Sequence, residues 1–105
     1  MLLKTAGKQT INISNIYKTL EGDVNENNKI DIGDILLLKR HLAYTNSTSI
    51  ANKHLNWKLS DEKIKIGDIN KNNKIDIGDI LKLQRYISAS NSNEIAKKHT
   101  DWLDI

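Results

Sequence analysis

The stretch Asp23-Val24-Asn25-Glu26-Asn27-Asn28-Lys29-Ile30-Asp31-Ile32-Gly33-Asp34 returns 45 residues later as Asp68-Ile69-Asn70-Lys71-Asn72-Asn73-Lys74-Ile75-Asp76-Ile77-Gly78-Asp79. In both copies an oxygen-bearing side chain stands at positions 1, 3, 5, 9 and 12. The likeness runs on past the loop. Over residues 22–60 against 67–105, 22 of 39 positions are identical, and Lys53, His54 and Trp57 stay in register with Lys98, His99 and Trp102. A bias toward Asn, Lys and Ile would not keep His, Trp and Gly aligned, so the chain is a duplicated unit.

Each unit reads as loop, helix, turn and short helix. Residues 22–34 are rich in Asn, Asp and Gly and have no helical period. Ile35, Leu36, Leu38 and Leu42 then recur at helical spacing, as do Ile80, Leu81, Leu83 and Ile87. Asp34 and Asp79 stand where the first turn begins, and a negative charge there suits the unpaired backbone N–H groups. Asn46-Ser47 and Asn91-Ser92 end these helices and offer N-caps to the shorter helices after them. A second, shorter apolar stripe comprises Ile50, Ala51, His54 and Trp57, repeated as Ile95, Ala96, His99 and Trp102. Residues 10–17 alternate in the manner of a strand, and residues 61–66 read either as a short strand or as one helical turn. The fold class is therefore mainly α, one domain over 22–105 with repeats at 22–60 and 67–105, behind a lead-in over 1–21.

Composition sharpens this. With 105 residues, 38% hydrophobic and no Phe, the core is thin, so support beyond apolar burial is expected. The absence of Cys excludes disulfides, zinc–cysteine sites and a thiol nucleophile. No apolar run is long enough to span a bilayer, and Met1-Leu2-Leu3-Lys4 passes at once into polar residues, unlike a secretory signal. The net charge is +3, but the cations are scattered, which argues against nucleic acid. Six of the nine Asp residues fall in the two loops.

Those loops have the spacing of an EF-hand calcium site. Calcium takes six to eight oxygens, and a tightly coiled loop turns alternate side chains inward. The ligand sets are Asp23, Asn25, Asn27, Asp31 and Asp34, and Asp68, Asn70, Asn72, Asp76 and Asp79. Position 7, Lys29 or Lys74, gives its backbone carbonyl. Two Ca²⁺ ions are expected, and their binding becomes folding free energy. Position 6 is Asn28 or Asn73 where Gly is usual, and Asn is the next best residue for a left-handed backbone. Position 12 is the short carboxylate Asp, and positions 3 and 5 are neutral, which disfavours magnesium. Ile30 and Ile75, at position 8, point away from the ion, pair the loops and plug the core.

Neither loop shows a proper incoming helix. A loop with only its following helix, duplicated and carrying Leu37-Leu38-Lys39-Arg40 and Lys82-Leu83-Gln84-Arg85, resembles the dockerin family of two F-hand units related by a near two-fold axis. The resemblance is close over 22–44 and 67–89. The Lys-His-x-x-Trp segments are similar to extended dockerin variants of gut anaerobes that degrade starch or plant fibre. It implies a non-catalytic, secreted or cell-surface module that docks onto the cohesin module of a scaffold protein, in a cellulosome- or amylosome-type complex, and is monomeric when free. It further implies partner contacts from loop positions 10 and 11 and the exposed helix face. These are Ile32, Gly33, Leu37, Arg40, His41 and Tyr44 in one unit, and Ile77, Gly78, Lys82, Arg85 and Tyr86 in the other.

The remaining residues have plainer roles. His54 and His99 are expected to pack or cap, and Trp57 and Trp102 to join the core. No nucleophile–base pair is present. Two rival functions are a calcium-stiffened spacer of an adhesin and an EF-hand sensor. A sensor exposes a Met-rich groove, and the single Met here is at position 1.

Overall fold

In the computed structural model of the chain, residues 20–104 are described. The strand expected over 10–17 and almost all of the lead-in lie outside them. The described residues are mainly helical and contain no strand. Each unit opens with its loop. A long helix follows, α1 (Ile32–Asn46) or α4 (Ile77–Asn91), then a short one, α2 (Thr48–Lys53) or α5 (Asn93–Lys98). Each ends in a 3₁₀ turn, Leu55–Trp57 or Thr100–Leu103. Between the units lies α3 (Asp61–Gly67).

Capping explains the boundaries. Ser47 ends α1 in an extended conformation, and its hydroxyl accepts from the Ile50 N–H, so one residue closes one helix and opens the next. Ser92 repeats this between α4 and α5. Segment 61–66 becomes a helix and not a strand for the same reason. Ser60 accepts from the Lys63 N–H, Asp61 and Glu62 occupy the first turn, and Lys65 the last. Loop two is thus entered from a two-turn helix, against the expectation of no incoming helix.

The core is Val24, Ile35, Leu38, Leu59, Ile69, Ile75, Ile80 and Leu83, with Ile30, Leu37, Leu42, Ile64, Ile66 and Ile87 packed on its rim. Its pseudo-two-fold symmetry is legible at two glycines. A Cβ placed on Gly22 would meet Leu83, Ile69 and Ile30 at 2.7, 3.3 and 3.5 Å. One on Gly67 would meet Leu38, Val24 and Ile75, the symmetry equivalents, at 2.6, 3.3 and 3.2 Å. Each loop entrance is therefore sealed by the other unit's long-helix leucine. The Gly22 N–H donates to the Ile66 carbonyl at 2.9 Å. The Lys63 ammonium crosses from α3 to the Val24 carbonyl at 2.9 Å and to Glu26 at 3.3 Å, and Lys71 pairs with Glu21.

Two helix expectations are corrected. Leu36 and Leu81, part of the apolar stripe of helical period, are exposed, while their stripe partners Ile35, Leu38, Ile80 and Leu83 are buried. His41, read as part of the exposed face, is buried. Its Nδ1 accepts from the Leu59 N–H at 3.0 Å, so the ring ties α1 to the segment after the 3₁₀ turn. Burial, reinforced by the positive charge of Lys58, lowers its pKa below the ordinary 6.5. The unfolded chain then takes up a proton before the folded one does. The stability His41 contributes is present above about pH 6.5 and is lost as pH falls through its lower folded value. In excess calcium, the urea midpoint is expected to fall between pH 7 and 5. His41→Gln, which can still accept from Leu59 but does not titrate, should flatten that decline. An equal decline in both proteins would remove His41 as its source.

Candidate metal-binding loops and docking faces

The two loops share most of one hydrogen-bond pattern, differing at position 3, where the Asn70 amide donates to Asp76 at 3.2 Å and its oxygen accepts no bond from the Asn72 N–H. At position 1, Asp23 accepts from the backbone N–H groups of Asn27 at 3.1 Å and Asn28 at 2.8 Å. Asp68 does the same with Asn72 at 3.1 Å and Asn73 at 2.8 Å. Such bonds coil the loop around the carboxylate. Further round, the Asn25 amide oxygen accepts from the Asn27 N–H at 3.3 Å, and the Asn27 oxygen from the Lys29 N–H at 3.2 Å. Each oxygen keeps a second lone pair.

Positions 9 and 12 serve loop and helix together. Asp31 caps α1, accepting from the Gly33 N–H at 3.0 Å, and Asp34 reciprocates by accepting from the Asp31 N–H at 2.9 Å, a capping box. The other oxygen of Asp34 reaches across the loop to the Asn25 N–H at 3.0 Å. Asp76 and Asp79 match this, with 3.1, 2.9 and 3.1 Å for the corresponding bonds. The short Asp at position 12 therefore sits at the third residue of its helix, against the loop it closes.

Backbone conformation carries the same repeat. Asn28 and Asn73 are left-handed, with φ of 72° and 70°, as their place at position 6 requires. Position 4 is left-handed too, at Glu26 (58°) and Lys71 (59°). Nothing in Glu or Lys announces this. Each costs roughly 1–2 kcal/mol, a strain imposed by closing the ring.

The electrostatics of the ring are one-sided. Asp23, Asp34, Asp68 and Asp79 are all buried, and among the described residues none of them has a salt-bridge partner. Burial pushes the Asp34 carboxyl up, backbone donors oppose this, and the negative charges of Asp23 and Asp31 push it further. Asp79 is raised likewise, by burial and then by Asp76 and Asp68. At the exposed mouth, Asp31 and Asp76 are held below the usual carboxylate range chiefly by the side chains of Asn27 and Asn72. Among the described residues no three Asp, Glu, His or Cys side chains form a metal cage by themselves. A ring here needs its two Asn oxygens and the position-7 carbonyl as well. An all-oxygen set with three carboxylates, two of them buried without a counter-charge, fits a hard divalent cation.

The helix faces come out differently from the expectation. Ile32 and Ile77, inside the capping turns, are 73% and 69% exposed. Leu36 and Leu81 lie one turn on and are also exposed. Leu37 is instead half-buried on the core rim, whereas Lys82 is exposed. Tyr44 and Tyr86 are half-buried. Gly33 and Gly78 have a local duty: an added Cβ would lie 2.8 Å from the Asn25 or Asn70 amide nitrogen. With His41 buried, the surfaces that remain read Ile32, Leu36, Lys39 and half-buried Arg40 in one unit, and Ile77, Leu81, Lys82, Gln84 and Arg85 in the other.

Beside each face stands a stack that sequence spacing did not reveal. His54 lies flat on Trp57 at 3.7 Å, and His99 on Trp102 at 3.7 Å. The guanidinium carbons of Arg40 and Arg85 sit 5.5 and 5.4 Å from the Trp57 and Trp102 ring centroids. The tryptophans are half-buried satellites outside the core, a correction. The histidines cap α2 and α5, with their backbone N–H groups on Ile50 and Ile95.

Residues 21–58 and 66–102 each match the family model described as the type I dockerin domain. No curated protein and no solved structure matches the chain.

Proposed function

The chain belongs to the type I dockerin family, calcium-binding, non-catalytic modules that bind cohesins, and from that premise we propose that it docks onto the cohesin of a scaffold protein when two calcium ions fill its loops. The ligands of the first ion are the side chains of Asp23, Asn25, Asn27, Asp31 and Asp34 with the Lys29 carbonyl. Those of the second are Asp68, Asn70, Asn72, Asp76 and Asp79 with the Lys74 carbonyl. The ions supply the positive charge that lets the buried carboxylates stay ionised. The module is monomeric when free, works outside the cell or at its surface, and joins a parent protein to a polysaccharide-degrading assembly of cellulosome or amylosome type.

One observation carries this reading. The exposed Ile32 and Ile77 lie between the two ring carboxylates of their own capping boxes, Asp31 and Asp34, and Asp76 and Asp79. Whatever fixes the ring fixes the first turn of the helix, and with it the apolar side chain offered to a partner. The docking faces are Ile32, Gly33, Leu36 and Arg40, and Ile77, Gly78, Leu81, Lys82 and Arg85, with Tyr44 and Tyr86 at their margins. An aliphatic pair beside an arginine is the composition of a binding hot spot.

Because the exposed residues of the two faces are nearly the same, either can serve. Titration calorimetry against a cohesin panel should give a tight calcium-dependent complex. Replacing Ile32 and Arg40 by Ala should leave a calcium-dependent complex weaker by no more than about ten-fold, because the second face substitutes. Replacing Ile32, Arg40, Ile77 and Arg85 together should weaken it by about a hundred-fold or more, since hot-spot truncations cost about 2 kcal/mol or more. Retained affinity in the fourfold variant would remove the assignment.

A further inference from the structure

The two faces share their apolar footprint but not their charge. Residues 35–60 carry four cations, Lys39, Arg40, Lys53 and Lys58, and no acidic residue. Residues 80–105 carry four cations, Lys82, Arg85, Lys97 and Lys98, against three acids, Glu94, Asp101 and Asp104. The acids are placed to matter. Asp101 and Asp104 line one small recess with Lys82, Arg85 and Trp102. The equivalent positions in the first unit are Asn56 and Leu59, and Leu59 is in the core. Arg40 therefore stands over Trp57 with no carboxylate at the positions where Arg85 has two. At the helix surface, Lys39 faces solvent where the second unit has Gln84.

We propose that charge, and not the apolar contacts, decides which face is used: the first unit is the preferred docking face for a partner surface rich in Asp and Glu, and Asp101 and Asp104 hold the second face in reserve. The inference rests on the docking function proposed above. Ile32 and Leu36 against Ile77 and Leu81 give no preference, since the residues and their exposures match. The two carboxylates beside Lys82 and Arg85, which the first unit lacks at the equivalent positions, do, because like or opposite charge at an interface edge steers encounter and orientation. The preference must therefore be salt-dependent. The screening length is about 30 Å at about 10 mM ionic strength and about 3 Å at about 1 M.

The test uses the full chain with calcium and, as probe, a cohesin whose docking face carries an excess of Asp and Glu. One face is disabled at a time, by Ile32→Ala with Leu36→Ala or by Ile77→Ala with Leu81→Ala. At about 10 mM ionic strength the chain with face one disabled should bind roughly ten-fold more weakly than the chain with face two disabled, and at about 1 M the two should agree within about two-fold. Asp101→Asn with Asp104→Asn should narrow the low-salt gap, and Lys39→Gln with Asn56→Asp on the first unit should do so from the other side. Equal affinities of the two disabled chains at low salt, or a gap that salt leaves untouched, overturn the inference while docking itself stands. A parent chain that binds no cohesin at any salt overturns the docking function and this inference with it.

Discussion

Excess EDTA is expected to abolish most of the helical circular dichroism of this chain at 25 °C, and added calcium to restore it. Without an ion, each ring holds two buried carboxylates and a third at its mouth, with no salt bridge to the buried pair among the described residues. Such like charges out of water oppose the fold. With calcium at a thousand times its dissociation constant, one site contributes about 4 kcal/mol, and two sites about twice that. A small domain has about 5–15 kcal/mol in total, so ion loading is expected to decide whether the fold persists. Magnesium should restore far less signal, because it demands a tight octahedron and keeps its waters. Asp34→Asn and Asp79→Asn should each remove one ion. Each puts an NH₂ where a carboxylate oxygen now accepts a backbone N–H. A melting curve indifferent to EDTA would sink the metal assignment.

The second large effect is expected in the core. Leu38 and Leu83 are fully buried, and each covers a glycine of the other unit. Leu38→Ala should destabilise the calcium-loaded chain by about 2–5 kcal/mol through lost burial and the cavity left behind. Leu83→Ala should cost nearly the same, because its surroundings are the symmetry equivalents. Gly67→Ala alone should cost about 1–3 kcal/mol by overpacking, its new methyl lying on the Leu38 side chain. Combined with Leu38→Ala, that methyl enters the vacated space. The double variant should then be more stable than the sum of the single costs implies. Urea denaturation of the four proteins checks this. Strict additivity would mean that Gly67 and Leu38 do not share that space.

Much of this was legible because the duplication prints each rule twice. The coiled oxygen-rich loops, Asp34 and Asp79 at the helix starts, Asn28 and Asn73 in the left-handed region, and the serine breaks at 47 and 92 are local matters. Each concerns a side chain acting on backbone a few residues away, and local chemistry is what a sequence carries openly. Errors arose where a residue's neighbour comes from elsewhere in the chain. Helical spacing could not tell Leu36 from Leu37. It could not foresee that His41 would turn inward to the Leu59 N–H, 18 residues away. Segment 61–66 stayed open between strand and helix, because two isoleucines suit either until Ser60 caps the turn.

The amino-acid sequence by itself determined that two oxygen-rich loops each open a helix, since ring, cap and turn are built from groups within twelve residues of one another. Tertiary structure alone decided which side of each helix faces outward, because that depends on where the other unit's glycine admits a leucine. It also decided that Arg40 and Arg85 rest against tryptophans 17 residues further along, a meeting that only the packing of each short helix and its 3₁₀ turn on the long helix brings about.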